Sequence, residues 1–233
     1  LVIMLAVFAL IGILSPLTAL IMPQIIGAMD LGGVTITLPE PTAMDAWGQF
    51  FGNTGLMGML VVIIVFSGIM ANEFSRGTLI NLLTKGLSRS TVIISKFVAA
   101  SLTWTVAYLL CLGVAIGYIA FYWELDLQNA VLAFASLWLF GELLIAILVF
   151  GGTLFGSFAG SLALTGGSVV ALMLINIAPG VARFNPMSLA GGTLTLLNGE
   201  QSPGDFMPAV VISIIAIIML VVASMVAFGK KLI

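Results

Sequence analysis

The chain is a succession of long apolar runs separated by short polar breaks, and the run lengths define its elements. Crossing a hydrocarbon core takes roughly 20 apolar residues as a helix. Runs of that length occupy about Leu1 to Ile26, Phe50 to Ala71, Phe97 to Trp123 and Met207 to Phe228. Between Asn129 and Ala182 only Glu142 is charged, and the stretch is too long for one crossing. It divides into 129–156 and 167–182, with the turn expected in the Gly- and Ser-dense Ser157 to Gly167. The pattern predicts an all-α polytopic membrane protein: one transmembrane domain over 1–233 with six transmembrane helices. Pro16 and Pro23 fall inside the first run and are expected to kink it, which a bundle tolerates because neighbours can satisfy the freed carbonyls.

Two longer breaks, Gly27 to Gln49 and Arg183 to Phe206, are rich in Gly, Pro and Thr and are expected to cap one end of the bundle. Val34 to Leu38 alternates apolar and polar residues and predicts a short strand ended by Pro39 and Pro41. The remaining break, 72–96, reads as two capped elements. Asn72 is expected to cap a short helix beginning at Glu73, where a carboxylate suits the positive end of the dipole. Leu79, Ile80, Leu82 and Leu83 make its apolar face, and Arg76, Asn81, Thr84 and Lys85 its polar one. Gly86 stops it. Ser88 then caps the third span, with Leu87 stapled on Val92.

Composition agrees with this architecture. Of 233 residues 61% are hydrophobic and 7% charged, against about a quarter charged in soluble domains. Topology follows the placement of the seven basic residues. Arg76, Lys85, Arg89, Lys96, Lys230 and Lys231 fall on the face shared by the termini, and Arg183 alone lies opposite. The positive-inside rule makes the terminal face cytoplasmic. Seven of the nine acids, Asp30, Glu40, Asp45, Glu124, Asp126, Glu200 and Asp205, fall on the other side. Trp47, Trp123, Tyr118 and Tyr122 are expected at the outer boundary. The chain opens at Leu1 inside an apolar run, without an initiator Met, so its true N-terminus is expected to lie upstream.

Little here points to catalysis. There is no histidine, hence neither the commonest general base nor the commonest metal ligand, and the single Cys111 forms no internal disulfide. No Ser is flanked by Gly at both second neighbours, and no pair of acids lies within the spans. No metal, cofactor or nucleic-acid partner is expected. Glu142, the one ionisable group deep in a span, is a candidate intramembrane polar site. It is either a hydrogen-bonded carboxyl at a helix contact, beside Ser136 or Thr153, or a binding group for a proton or cation. Gly113 and Gly117, and Gly152, Gly156 and Gly160, recur every four residues, a spacing that lets helices pack closely.

The runs Gly68-Ile69-Met70-Ala71-Asn72-Glu73, Arg76-Gly77-Thr78-Leu79, Leu82 through Arg89, and Ser95-Lys96-Phe97 resemble the region after the second span in ABC-2 type permease subunits of ATP-binding cassette transporters. Ser15-Pro16-Leu17, Pro39 to Thr42 and the six-span plan with both termini inside resemble that family too. The resemblance implies that the short helix is a coupling helix docking on a separate ATPase. Glu73, Arg76, Gly77, Thr78, Leu79, Leu82, Leu83, Lys85, Ser88 and Arg89 would form the docking region. Many relatives carry a proline before the Ser-Arg pair, whereas this chain has Lys85-Gly86-Leu87. The resemblance further implies a second permease copy or homologue, cytoplasmic ATPase subunits that bind ATP and Mg, a lipid surround in a bacterial or archaeal plasma membrane, and export of a hydrophobic or amphipathic substrate. A Walker-type phosphate loop is absent, as suits a subunit without nucleotide. The alternatives are an ion-coupled secondary transporter or channel using Glu142, and a non-transporting assembly or immunity protein.

Overall fold

The computed structural model describes residues 2–28, 39–75, 86, 88–125, 127–178 and 180–230. All regular structure among them is helical, and six helices are long and apolar enough to cross a membrane. The first is Val2–Ala28. The second runs in pieces, Ala43–Asn53, a π-helical Thr54–Gly58, Met59–Phe66 and Gly68–Ser75. The others are Arg89–Tyr122, Ala130–Phe155, Phe158–Asn176 and Pro203–Lys230. The strand expected at Val34 to Leu38 lies outside the described residues, as do Leu87 and the docking positions Arg76, Gly77, Thr78, Leu79, Leu82, Leu83 and Lys85.

Several boundaries differ from the sequence expectation, each for a local reason. The second span starts at Ala43, seven residues before Phe50, because Thr42 and Asp45 form a capping box. Asp45 Oδ2 accepts the Thr42 amide at 2.8 Å and Thr42 Oγ1 accepts the Asp45 amide at 3.3 Å. At its other end the helix continues through Asn72 to Ser75, so Asn72 is an interior residue and caps no separate helix. The third span starts at Arg89, with Ser88 Oγ accepting the Thr91 amide at 3.1 Å. Between the fourth and fifth spans only Gly156 and Ser157 turn. Gly156 has φ +64, a left-handed backbone that glycine adopts without penalty, and Ser157 Oγ accepts the Gly160 amide. Gly160, Gly166 and Gly167 stay helical.

The fourth span is the centre. In its most apolar window 67% of residues are buried, against 11% for the fifth span and 17% for the sixth. It touches the second, third, fifth and sixth spans, while the first packs on the second and third. First and third run the same way: Phe8 meets Trp104 edge-on at 5.4 Å and Gly12 lies against the Cys111 backbone further along. Trp47, expected at a membrane boundary, is fully buried instead. It sits in a cluster with Phe50, Phe51 and Phe134, its ring 5.0 Å from that of Phe134, because the early start of the second span carries it into the bundle.

The short helices Ser188–Gly191 and Thr193–Leu197 tuck Leu189, Leu196 and Leu197 against the end of the fourth span away from the termini. The Gln128 amide donates to Leu197 O at 3.0 Å, and Trp123 Nε1 to Pro41 O at 2.8 Å, so the loops at this end hold one another.

Gly141 is where third and fourth spans come closest. A Cβ there would fall 2.4 Å from the Trp104 ring, which is fully buried and anchored by its Nε1 donating to Trp138 O at 3.0 Å. Gly141→Ala is therefore expected to cost about 1–3 kcal/mol, read as a lower midpoint of thermal unfolding in detergent micelles. An unchanged midpoint would mean that the two helices are not packed this tightly.

Candidate functional site

Two groups of polar side chains stand out, one inside the bundle and one at the end where the termini lie. The inner group is a seam between the antiparallel third and fourth spans. Tyr108 Oη donates to Phe134 O at 2.9 Å, Trp104 Nε1 to Trp138 O, Trp138 Nε1 to Thr105 Oγ1 at 3.0 Å, and Ser101 Oγ to Glu142 Oε1 at 2.8 Å. Thr105, which accepts from Trp138, also lies close to the Glu142 carboxyl. Residues 101, 104, 105 and 108 share one face of their helix, so these bonds form a ladder down a single contact line.

Glu142 is 4% exposed, and the seam explains how it is tolerated: its oxygens meet hydroxyls instead of hydrocarbon. Its partners are Ser101 and Thr105 on the facing helix, not Ser136 or Thr153 as the sequence suggested. Thr153 Oγ1 bonds back to Val149 O on its own helix, and Ser136 Oγ has no partner among the described residues. The expectation missed this because facing helices cannot be paired from one sequence. Glu142 lines neither the cleft beside Glu73 and Lys96 nor the one beside Arg183 and Asp205.

The glycines split in role. Gly152 faces Met70 of the second span, where a Cβ would lie 2.9 Å away. Gly156 belongs to the turn and Gly160 backs onto Phe155, so these three do not make one groove. Gly113 and Gly117 face open space.

The second group fastens three helix ends. Glu73, near the end of the second span, forms an ion pair with Lys96, two turns into the third; the side chains are 21% and 30% exposed. At the start of the third span Arg89 Nη1 donates to Phe228 O at 2.8 Å and Gly229 O at 3.2 Å, the last carbonyls of the sixth. A cation in the first turn is poorly placed for its own helix dipole, but here it meets the negative end of a neighbour. The guanidinium lies 5.7 Å from the centre of the Phe228 ring, and Phe74 packs edge-on to that ring at 5.8 Å. A cleft of about 360 Å³ opens beside the ion pair, lined by Phe66, Ile69, Asn72, Glu73, Lys96 and Thr103.

Of the sequence-predicted docking residues, Glu73, Ser88 and Arg89 are described and stand on either side of 76–87. Gly86 has φ +88, the left-handed region expected of a helix stop. The tie from Arg89 to the sixth span has no local sequence signal, since its acceptors are backbone carbonyls far along the chain.

Glu142→Gln keeps an acceptor for Ser101 and is expected to melt within about 1 kcal/mol of the parent, whereas Glu142→Ala leaves buried hydroxyls without it and should lose about 1–3 kcal/mol. Thermal unfolding in micelles separates the two. Equal losses would show that the seam does not depend on that bond.

The chain matches a family model described as "ABC-2 family transporter protein" over residues 2–171. It is similar to a transmembrane protein of Bacillus subtilis (strain 168), YxlG, described as uncharacterized. The two are 26% identical over 229 residues, which cover 95% of this chain and 87% of that protein. The match takes in the first four spans, most of the fifth, the carboxylate seam, Glu73, Arg89 and Lys96, and the chain belongs to the ABC-2 transporter family as an integral, multi-pass membrane subunit.

Proposed function

We propose that this permease subunit exports a hydrophobic or amphipathic substrate, and that a separate ATP-binding cassette ATPase drives it by pushing on segment 72–89. The observation that carries the reading is the fastening of three helix ends around that segment. Glu73 before it pairs with Lys96 after it, and Arg89 ties its far side to the carbonyls that end the sixth span. A displacement applied between Glu73 and Arg89 is thereby shared by the second, third and sixth spans. Family membership supports the rest: the partner ATPase holds ATP and Mg, and a second permease subunit completes the pathway.

The side of the membrane follows from charge. Arg89, Lys96 and Lys230 lie at the terminal end and Arg183 at the other, so by the positive-inside rule the terminal end faces the cytoplasm, where ATP is available. Nucleotide binding would act as a two-state switch. Closure of the ATPases favours one arrangement of the fastened ends, and release restores the other.

Two outcomes are expected. Pull-down of the tagged permease from its native membrane should recover an ATP-binding cassette subunit, and Leu79→Asp or Leu82→Asp should cut that recovery about tenfold or more, as a charge does in an apolar contact. Recovery of no such subunit, with transport that persists without ATP, would sink the reading. Arg89→Ala should reduce ATP-driven flux in proteoliposomes severalfold, and by more than it reduces recovery, because it removes two charge-assisted bonds to the sixth span. Full flux in that variant would show that the push does not pass through Arg89.

A further inference from the structure

The bundle end away from the termini carries a cavity that neither the seam nor the fastened ends use. It encloses about 520 Å³ between the end of the fifth span, the 3-10 turn Ala182–Phe184, the two short helices and the start of the sixth span; Asn176, Arg183, Ser188, Thr195, Gln201 and Asp205 supply its polar lining. The charges are separate within it, since Arg183 and Asp205 form no ion pair with each other. Arg183 lies over the Phe184 ring at 4.6 Å and makes no hydrogen bond among the described residues. Asp205, in the first turn of the sixth span, accepts from Ser202 Oγ at 3.1 Å through one oxygen. The Thr195 hydroxyl lies within hydrogen-bond distance of both Gly192 O, at 2.8 Å, and Gln201 Oε1, at 2.7 Å. Asn176 Oδ1 is shielded from solvent and has no donor among the described residues, a costly arrangement unless something else supplies one.

The cavity thus offers a cation at one side and, at another, a carboxylate in need of N–H or O–H donors. Next to it an apolar cleft of about 420 Å³ descends the sixth span, lined by Phe184, Gly204, Met207, Pro208, Val211 and Ile212. Phe184 adjoins Arg183 in sequence, and Gly204 and Met207 flank Asp205 and Phe206, so the two spaces open beside the same two stretches of chain. Met207 and Val211 are about half exposed, at 46% and 51%, on a helix that crosses the membrane.

We propose that this pair of spaces binds an aminophospholipid, a zwitterionic lipid with a primary ammonium group. Its phosphate would meet Arg183, its ammonium Asp205, and one acyl chain the Met207 to Ile212 cleft. A primary ammonium is selected because the Asp205 carboxylate has an oxygen left to accept a hydrogen bond, which a quaternary ammonium cannot donate. An anionic glycerol head leaves Asp205 unmatched. The site depends on the chain being embedded in a membrane and not on an ATPase partner, so it stands or falls separately from the transport reading.

The test uses the full chain in detergent micelles, titrated with short-chain phosphatidylethanolamine, phosphatidylcholine and phosphatidylglycerol of equal chain length, with binding read by intact-complex mass spectrometry. Phosphatidylethanolamine is expected to bind about tenfold tighter than the other two, a margin that one or two charge-assisted hydrogen bonds supply. Asp205→Asn should remove most of that preference, whereas Arg183→Gln should weaken all three lipids, each of which carries the phosphate; both should leave the lipid-free melting temperature unchanged, since both side chains are exposed. Val211→Asn should likewise weaken all three lipids. Equal affinity for the three lipids, a preference that survives Asp205→Asn, or phosphatidylethanolamine binding undiminished in Arg183→Gln, would overturn the proposal. So would glycerophosphoethanolamine, the head without chains, binding as tightly as the lipid.

Discussion

The fourth span must be buried on nearly every side, and the other five arrange themselves around that requirement. A helix surrounded by protein can carry large, small or polar residues only where the facing helix accommodates each one. Gly141 is small because the Trp104 ring fills its place, and Gly152 because Met70 does. Polar groups survive only where paired, and the seam supplies the pairing: two indoles, a phenol and two hydroxyls on the third and fourth spans consume one another and two backbone carbonyls. In hydrocarbon no water replaces a lost partner, so the seam fixes the register of the two helices more strictly than apolar packing would. Glu142 is part of that register, and its burial needs no ion pathway to explain it.

How much of this was legible in the sequence depends on the range of the interaction concerned. Six crossings follow from run length alone, since a span must be long and apolar whatever its neighbours are. The Thr42 and Asp45 capping box is also legible, as a Thr with an acid three residues on, although the Pro-rich stretch before it reads as loop. The Gly156-Ser157 turn was harder. Glycine and serine are as frequent from Gly160 to Gly167, where small residues serve helix packing in a membrane instead of ending a helix, so density of small residues misplaced the boundary. The partners of Glu142 and Arg89 were not legible at all. Each lies on another helix, and the choice among neighbouring hydroxyls or carbonyls is made by packing geometry that no local pattern encodes.

The two ends of the bundle differ in how they are held. Away from the termini, loops are tied mainly by backbone groups, Gln128 to Leu197 and Trp123 to Pro41, together with buried leucines. Such contacts depend little on salt. At the terminal end the ties are charged and partly open to solvent. A pair as exposed as Glu73 and Lys96 contributes about 0–1 kcal/mol of stability, because water and salt screen it. Its value is therefore positional: it costs little to break and re-form, and it keeps two helix ends in register while intact.

That difference bears on where the molecule can give. Displacement passes along a helix undiminished only while its hydrogen-bond ladder is regular. The third and fourth spans are continuous, and the seam locks them to each other. The second span is not regular. It carries the π-helical Thr54–Gly58, and Ser67 Oγ bonds to the Ile63 carbonyl that already accepts the Ser67 amide, an arrangement that bends helices. Both irregularities lie between the Glu73 tie and the aromatic cluster of Trp47, Phe50 and Phe51. A push at the fastened end would accordingly be absorbed within the second span before it reached that cluster, while the locked pair of third and fourth spans moved as one body. The second span is thus the one built to bend, and the third and fourth are the ones that are not.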